Sequence, residues 1–229
     1  MLPALLDDIR RLWNKGQITG LEIQLTFNLA SEDRGWLIGF EDLPLHVHVN
    51  PSPIGFGANQ NAAFLRTSCA HFAIINPDIR MLDVDLAVLQ HTLTKGKTGA
   101  VAPRIIDSNG FLQDSARHFP TISGVVKRAV TGRRKSEFLE VSEPINVDWV
   151  AGMFVLFRKE AWEKVHGFDE NYFMYFEDVD ICRRLRRDGW EVKYDCRVTV
   201  RHDAQRASHR DLQHLLWHMR SAVRYFVGL

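Results

Sequence analysis

Hydrophobic and polar positions change their spacing several times along the chain. Apolar residues near the start recur at helical spacing and predict an opening amphipathic helix; they are Leu5, Leu6, Ile9, Leu12 and Trp13. Residues 21–27 and 45–49 then alternate between apolar and polar, which predicts two strands with one face in water. Residues 72–75 are a solid apolar run and 147–157 a second, long and mostly apolar one, which are typical of strands covered on both faces.

Helices are predicted between and after these strands, from apolar spacing and from end signals. They cover Val84–Leu93, Arg158–Val165, Glu177–Gly189 and a C-terminal segment from about Ser208. The helix from Glu177 begins with acids, ends with arginines and closes on a glycine, as a well-capped helix does. Shorter strands are predicted at 99–106, 191–194 and 197–202, and a mobile loop at 132–137. Strands alternating with helices predict a layered α/β fold in a single domain.

Composition excludes several classes of protein. The 229 residues are 45% hydrophobic and 25% charged, with 29 Lys and Arg against 28 Asp and Glu. These are the values of a globular domain, and the near-zero net charge gives no overall attraction to nucleic acid. Three cysteines without a CxxC pair indicate reduced thiols in a cytoplasmic protein. Acids among the first leucines argue against a signal peptide, and no apolar run approaches the ~20 residues of a spanning helix.

Carboxylates and aromatic rings alternate in the densest acidic cluster, residues 167–180. Its acids are Asp169, Glu170, Glu177, Asp178 and Asp180. Aromatic surroundings desolvate a carboxylate and raise its pKa, which makes it usable as a base, whereas a helix N-terminus keeps it ionised. The alternative is a structural N-cap cluster above the core.

Two further residues follow predicted strands. Asp78 ends the Asn76-Pro77-Asp78 segment behind a buried strand, at the edge of an α/β sheet where ligands bind. His202 ends the last predicted strand. Each has a structural alternative, since an Asp after a strand often forms a turn and a lone His is usually structural.

The C-terminal part of the chain is basic. From Arg183 to Leu229 there are eleven Lys and Arg against five Asp and Glu. This excess suits an anionic membrane surface or a diphosphate substrate, although a solvated helix face explains it equally. Apolar residues of the last segment form the face of an interfacial helix or pack on the domain itself; they are Trp217, Met219, Val223, Phe226 and Val227.

Four segments resemble family 2 glycosyltransferases: GFGANQN, IINPDIRM, APRIIDSNGFLQDSARHFPT and the run from VDWVAGMFVLF to RVTVRH. The similarity extends from about residue 21 to 229 and is greatest to the rhamnosyltransferase-like branch, which builds bacterial O-antigen and cell-wall polysaccharide. The resemblance implies a GT-A fold with a three-layer α/β/α arrangement around a mixed sheet. It also implies a nucleotide-sugar donor and Mg²⁺ or Mn²⁺.

The resemblance also assigns roles to residues. Asp178, beside Glu177, corresponds to the catalytic base of an inverting transfer, while Asp78 and His202 correspond to the metal site. Donor-binding positions are Asn28, Gly55, Phe56, Asn61, Asn76 and Asp78. Acceptor-binding positions are Gly152, in a predicted strand, with Asp169 and Glu170. Residues 1–110 would form the donor half, and 111–229 the acceptor and catalytic half with its basic C-terminal helix.

One departure from the family lies at the N-terminus. Relatives begin with a strand of the type VSIVIVTYN, which holds the donor base and ribose, whereas this chain begins at the following helix. The Asp that contacts the base is replaced by Asn28. We therefore expect an N-terminally truncated GT-A fold, in which the strands near Leu21 and His71 close up or accept a strand from elsewhere. A late start codon, a shortened chain and a natural loss of donor binding all explain the departure.

Two functions remain open at this point. The first is a cytoplasmic, membrane-peripheral enzyme that moves a sugar such as rhamnose from a nucleoside-diphosphate donor to a lipid-linked glycan or polysaccharide. The second is a non-catalytic GT-A relative that binds a glycan or a partner transferase. Nucleic-acid binding is not expected, because the aromatic residues accompany acids rather than arginines.

Overall fold

The computed structural model describes residues 1–125, 137–138, 141–202 and 212–228. The loop predicted at 132–137 lies almost wholly outside these residues, as does the predicted start of the last helix near Ser208. The other predicted helices and strands fall within the described part of the chain.

The helices are α1 (Leu2–Asn14), α2 (Phe56–Phe64), α3 (Leu86–Thr94), α4 (Lys159–Lys164), α5 (Glu177–Arg187) and α6 (Leu212–Val227), with a 3₁₀ helix at Gly35–Phe40. The strands are β1 (Ile23–Phe27), β2 (Leu45–Val49), β3 (His71–Ile75), β4 (Ile79–Arg80), β5 (Thr98–Ile106), β6 (Ala116–Arg117), β7 (Ile145–Asn146), β8 (Trp149–Val150), β9 (Phe154–Arg158) and β10 (Glu191–His202).

A mixed sheet forms the centre of the molecule, with strand order β3-β9-β5-β10-β4 and β7 beside β10. β5 and β10 run parallel, and the other neighbours in this sheet are antiparallel. Residues of α2, α4, α5 and α6 build one apolar cluster. In this cluster the ring of Trp162 contacts several phenylalanine rings. Residues of α1 and α3 build the second cluster, which includes Leu6 and Leu89. Two apolar clusters and one sheet give the predicted three-layer α/β/α arrangement.

Two strand predictions were wrong in detail. The apolar run at 147–157 forms β8 and β9, separated by a turn at 151–153, rather than one strand. The apolar pattern of the sequence does not reveal this turn, because the residues on both sides of it are buried. The segments at 191–194 and 197–202 form the single strand β10, whose pairing with β5 shifts register between Asp195 and Thr199.

β1 and β2 pair in parallel with each other and form a separate two-stranded sheet. Within the described residues, β3 hydrogen-bonds to β9 alone, so β1 and β3 each keep one strand edge without a ladder partner. A cavity of about 1160 Å³ is lined by both strands and by Met1. The two strands have therefore neither closed up nor received a strand from the described residues.

We predict that an apolar strand joined to Met1 through a short flexible linker stabilises the protein. The added strand would satisfy the open edges of β1 and β3 and bury apolar surface in the cavity. A gain of ~2 kcal/mol raises the thermal midpoint of a domain of this size by roughly 4–8 °C. Differential scanning calorimetry measures the effect. A control extension carrying prolines at alternate positions cannot pair and is expected to leave the midpoint unchanged; an equal rise for both extensions would contradict the prediction.

Candidate functional site

Asp78 and His202 meet at one edge of the central sheet. His202 pairs with Ile79 in the antiparallel β4–β10 ladder, and Asp78 immediately precedes β4. The Nε2 atom of His202 lies 3.0 Å from Oδ2 of Asp78. The expectation that these residues approach each other, although far apart in sequence, is confirmed.

The environment of this pair leaves one carboxylate oxygen without a hydrogen-bond partner. Burial alone would raise the pKa of Asp78, but the hydrogen bond and charge of His202 hold it below its ordinary value. Oδ1 of Asp78 is buried and makes no hydrogen bond. Within the described residues, no cluster of three or more His, Cys, Asp or Glu is close enough to hold a metal ion. A metal here would therefore depend on oxygen atoms supplied by a ligand, as Mg²⁺ commonly does with phosphates.

The other ring nitrogen of His202 contacts Gln113. Nδ1 of His202 lies 2.8 Å from Oε1 of Gln113. The amide nitrogen of the same glutamine donates to the backbone oxygen of His202 at 3.2 Å. Sequence reasoning missed Gln113, because residues 107–146 carry no regular period, although its segment belongs to the quoted similarity.

Asp178 occupies the first turn of α5, behind two strained residues. Tyr175 and Phe176 have φ angles of 70° and 66°, in the left-handed region that non-glycine residues rarely adopt. This path turns the chain sharply into the helix. Oδ2 of Asp178 then accepts a hydrogen bond from the backbone N–H of Gly152 at 3.1 Å, and Oδ1 accepts one from Val179 at 2.8 Å.

Glu177 differs from its neighbour in having fewer donors, since the backbone hydrogen bond that lowers its pKa comes from its own N–H. Its side chain is buried, with 7% of the residue exposed, and Oε2 makes no hydrogen bond. Burial, followed by the charge of Asp178, raises the pKa of Glu177 to about 8. Burial also raises the pKa of Asp178, but two N–H donors and the charge of Arg117 oppose this effect. The donors therefore favour Asp178 over Glu177 as the ionised member of the pair.

The turn at 151–153 connects the two acidic elements. Met153 accepts a hydrogen bond at its carbonyl from the backbone N–H of Asn76, at 2.8 Å, while its neighbour Gly152 binds Asp178. A Cβ atom at Gly152 would lie 3.6 Å from the ring of Phe56 and 3.7 Å from Cβ of Asp178. Gly152 thus lies in a turn rather than in the predicted strand, and its N–H is occupied by the carboxylate.

The predicted donor residues on α2 anchor that helix to the 168–173 loop. A Cβ at Gly55 would come within 2.9 Å of the carbonyl oxygen of Phe173, which also accepts the N–H of Phe56. Asn61 exchanges two hydrogen bonds, each of 2.9 Å, with the backbone of Phe168. These contacts position the loop, and a role in donor binding stays a prediction.

Asn28, at the end of β1, holds the turn that precedes α2. Its Oδ1 accepts hydrogen bonds from Asn50, Ile54 and Asn59, and its amide nitrogen donates to the carbonyl of Ile54. Both polar atoms of the side chain therefore make hydrogen bonds within the protein. Contact with a nucleotide base would require some of these hydrogen bonds to break.

The two acids assigned to acceptor binding make internal contacts. Asp169 pairs with Arg224 of α6 at 3.0 Å, and burial, which raises its pKa, is outweighed by hydrogen bonds from Asn171 and Arg224. Glu170 accepts a hydrogen bond from Asn61. Both tie the loop to neighbouring helices, and their role toward an acceptor stays a prediction.

Arg117 is a second residue that sequence reasoning missed. It lies in β6 and pairs with Trp149 of β8, so that its charge reaches Asp178. Its guanidinium forms an ion pair of 2.9 Å with Asp114 and lies 5.0 Å from the Trp149 ring. It supplies positive charge beside the candidate base without a sequence signal of its own.

Helix α6 divides its apolar residues between two directions. Trp217 contacts the ring of Phe173, and Phe226 contacts Phe176, so these two pack on the domain. The apolar residues on the outer side are exposed and form what we call the α6 stripe: Leu212, Leu215, Leu216, Met219, Val223 and Val227. No helix in the described part of the chain combines the length and apolar character needed to cross a bilayer.

Comparison with known protein families identifies the family of this chain. Residues 83–219 match the model described as "Glycosyltransferase like family 2". The chain belongs to glycosyltransferase family 2. The segment matched contains Asp178, His202 and Gln113, and excludes β1 to β4 with Asp78.

Curated relatives of this family 2 chain are rhamnosyltransferases. It is 30% identical over 193 residues to rhamnosyltransferase WbbL of Escherichia coli strain K12, covering 78% of this chain and 72% of WbbL. It is 34% identical over 160 residues to N-acetylglucosaminyl-diphospho-decaprenol L-rhamnosyltransferase of Mycobacterium tuberculosis, covering 65% of this chain and 52% of that protein. The predicted rhamnosyltransferase-like branch is confirmed. The chain spans only about half the length of the mycobacterial relative.

Solved structures identify the fold of the family 2 chain as GT-A. GalNAc-T7 with UDP, GalNAc and Mn²⁺ superposes with a TM-score of 0.65 at 15% identity, covering 88% of this chain and 41% of that one. Mannosyltransferase PcManGT from Pyrobaculum calidifontis, with GDP-Man and Mn²⁺, gives 0.59 at 17% identity, covering 98% and 61%. At these identities the similarity concerns the fold.

We predict that Glu177→Gln stabilises the protein increasingly as pH rises from about 4.5 to 8. Above its ordinary pKa of 4.5 an unfolded Glu177 loses its proton, whereas the folded one keeps it up to about 8, so wild-type stability falls across this window. Glutamine does not titrate. We expect no difference at pH 4 and ~2 kcal/mol or more at pH 8, since one pKa unit corresponds to about 1.4 kcal/mol.

Urea unfolding at several pH values measures this difference. The control is Glu41→Gln, which removes an exposed carboxylate from the end of the 3₁₀ helix. A Glu177→Gln advantage that is equal at pH 4 and pH 8 would contradict a protonated Glu177 in the folded state.

Proposed function

We propose that this chain is a glycosyltransferase that moves a sugar from a nucleoside-diphosphate donor to a lipid-linked or polysaccharide acceptor, with inversion and with Asp178 as base. Its first half, 1–110, would bind the donor and 111–229 the acceptor. The observation that carries the proposal is the Glu177–Asp178 pair, in which two N–H donors fix the carboxylate of Asp178 and favour its charged form. Family membership and rhamnosyltransferase relatives support the same reaction.

In the proposed reaction the acceptor hydroxyl oxygen attacks the anomeric carbon while the bond from that carbon to the diphosphate oxygen breaks. Asp178 takes the hydroxyl proton, and the nucleoside diphosphate departs with the electron pair of the broken bond. Because its hydrogen bonds fix both carboxylate oxygens, Asp178 needs little reorganisation to act as a base.

The diphosphate is proposed to bind beside Asp78 and His202. Their oxygen and nitrogen atoms, with the unpartnered Oδ1 of Asp78, suit a divalent cation that also binds phosphate oxygens. Mg²⁺ or Mn²⁺ bound there would offset the charge that develops on the leaving diphosphate. The Mn²⁺ of the two solved relatives supports this choice of cation.

A second function, a non-catalytic relative that binds a glycan or a partner transferase, is favoured by one observation. The cavity between β1 and β3 and the hydrogen-bonded side chain of Asn28 leave the base and ribose without an evident wall. Assays of sugar transfer separate the two functions, since a binding protein would show no transfer that depends on Asp178.

We expect Asp178→Asn to lose transfer by about 10²–10⁴-fold, which is the usual contribution of a general base. Folding and metal-dependent donor binding should remain, because the asparagine has the same shape and Asp78 is untouched. Transfer is measured with a panel of nucleotide sugars and Mn²⁺, and binding by calorimetry. Glu41→Gln serves as the control with a distant carboxylate removed. Retention of more than about a tenth of wild-type turnover would disprove the assignment of Asp178.

The protein is further proposed to be cytoplasmic and to contact the membrane surface through α6. The α6 stripe is exposed along the whole helix, with Arg220 exposed beside it. Apolar residues next to arginines are typical of helices that lie in the interface of an anionic bilayer. The mycobacterial relative is named for a substrate that is linked to the lipid decaprenol, which supports contact between this protein and the membrane.

We predict that Leu216→Glu weakens binding to vesicles of phosphatidylcholine with phosphatidylglycerol by about tenfold or more. Burial of one leucine in an apolar phase contributes about 1.5–3 kcal/mol, and the new carboxylate repels the anionic surface. Flotation assays measure the bound fraction. Leu65→Glu is the matched control, because Leu65 is 82% exposed and lies at the end of α2. Equal loss in both variants, or no binding by the wild type, would contradict the assignment of α6.

A further inference from the structure

Gln113 contacts His202 at two points that together fix the orientation of its own amide. Its side chain reaches both Nδ1 of the ring, at 2.8 Å, and the backbone oxygen of the same residue, at 3.2 Å. A carbonyl oxygen only accepts hydrogen bonds, so the amide nitrogen must face it. The opposite orientation of the amide would place two oxygen atoms against each other. Oε1 of Gln113 therefore faces the ring.

This orientation determines where the imidazole carries its proton. Oε1 of Gln113 is an acceptor, so Nδ1 of His202 must be the donor and carry the hydrogen. Nε2 is then the nitrogen that faces Asp78, 3.0 Å from Oδ2, and a hydrogen on it donates to that carboxylate. A cation bound to Nε2 would take the place of that hydrogen.

Gln113 is itself held rigidly. Its backbone N–H donates to the carbonyl of Ile105 at 2.8 Å, and the preceding residue, Leu112, forms a bridge with Ile106. Ile106 in turn pairs with Arg201, next to His202. The glutamine and the histidine are therefore attached to adjacent strands of one sheet, which keeps their spacing constant.

We propose that Gln113 is a positioning residue that holds His202 in the Nδ1–H form, with Nε2 directed at Asp78, and so prepares the site for a divalent cation. The inference rests on the proposed function, because it concerns the same metal site. Outer partners of metal-binding histidines typically change metal affinity by 10–100-fold when they are replaced.

Three variants test this inference on the full chain. Gln113→Leu removes both hydrogen bonds, whereas Gln113→Glu keeps an acceptor for Nδ1. Gln90→Leu is the matched control, since it makes the same substitution on α3. Thermal unfolding reports whether each variant folds. The probe is Mn²⁺ in the presence of inorganic pyrophosphate, with bound metal measured by electron paramagnetic resonance, together with the ring ¹⁵N signals of His202.

We expect Gln113→Leu to weaken Mn²⁺ binding 10–100-fold and to shift the His202 ring away from the Nδ1–H form, while Gln113→Glu recovers part of both. Gln90→Leu should match the wild type. The variant Asp78→Asn tests the metal site separately from the role of Gln113. If this variant leaves Mn²⁺ binding unchanged, or if the wild type does not bind Mn²⁺, the proposed metal site is wrong. If Asp78→Asn abolishes binding and Gln113→Leu does not weaken it, the role of Gln113 is overturned. A wild-type ring with its proton on Nε2 alone overturns it independently.

Discussion

The turn at 151–153 is the constraint on which both acidic elements depend. One of its residues binds the backbone behind β3, and the adjacent glycine binds the carboxylate at the start of α5. Both groups lie on adjacent residues where the chain passes from β8, which pairs with β6, to β9 in the central sheet. A Cβ at Gly152 would be in ordinary van der Waals contact with Phe56 and Asp178, so the helix, the turn and α2 meet at this glycine.

Much of the fold follows from the sequence pattern, whereas the turn that organises the site does not. The helical spacing of α1 and the end signals of α5 predict these helices to within a few residues. The apolar run at 147–157 hides the turn, because the residues of the turn are themselves uncharged and lie between buried strands while the backbone direction changes. The break in β10 was predicted where the structure has only a change of register, since Asp195 interrupts the apolar pattern but is buried and accepts hydrogen bonds from Thr92 and Arg197.

The residues of the candidate site could be predicted from the sequence where the residue type itself indicates a chemical role. Asp78, Asp178 and His202 could be singled out because acids and histidines after strands and at helix starts are informative. Gln113 and Arg117 act through partners that are distant in the chain, and their segment has no periodicity. Residues such as Asn28 and Asn61 illustrate the converse, since a polar residue in a matching motif has its hydrogen bonds directed into the protein.

The separation of β1 and β2 from the central sheet also affects how the molecule opens. No backbone ladder joins these two strands to the central sheet within the described residues, so they can detach without breaking a hydrogen bond of that sheet. Their free energy of opening is then set by local packing rather than by global unfolding. Amide hydrogens of β1 and β2 would exchange with solvent deuterium ahead of those in β5 and β10, which makes this corner of the molecule a separate cooperative unit.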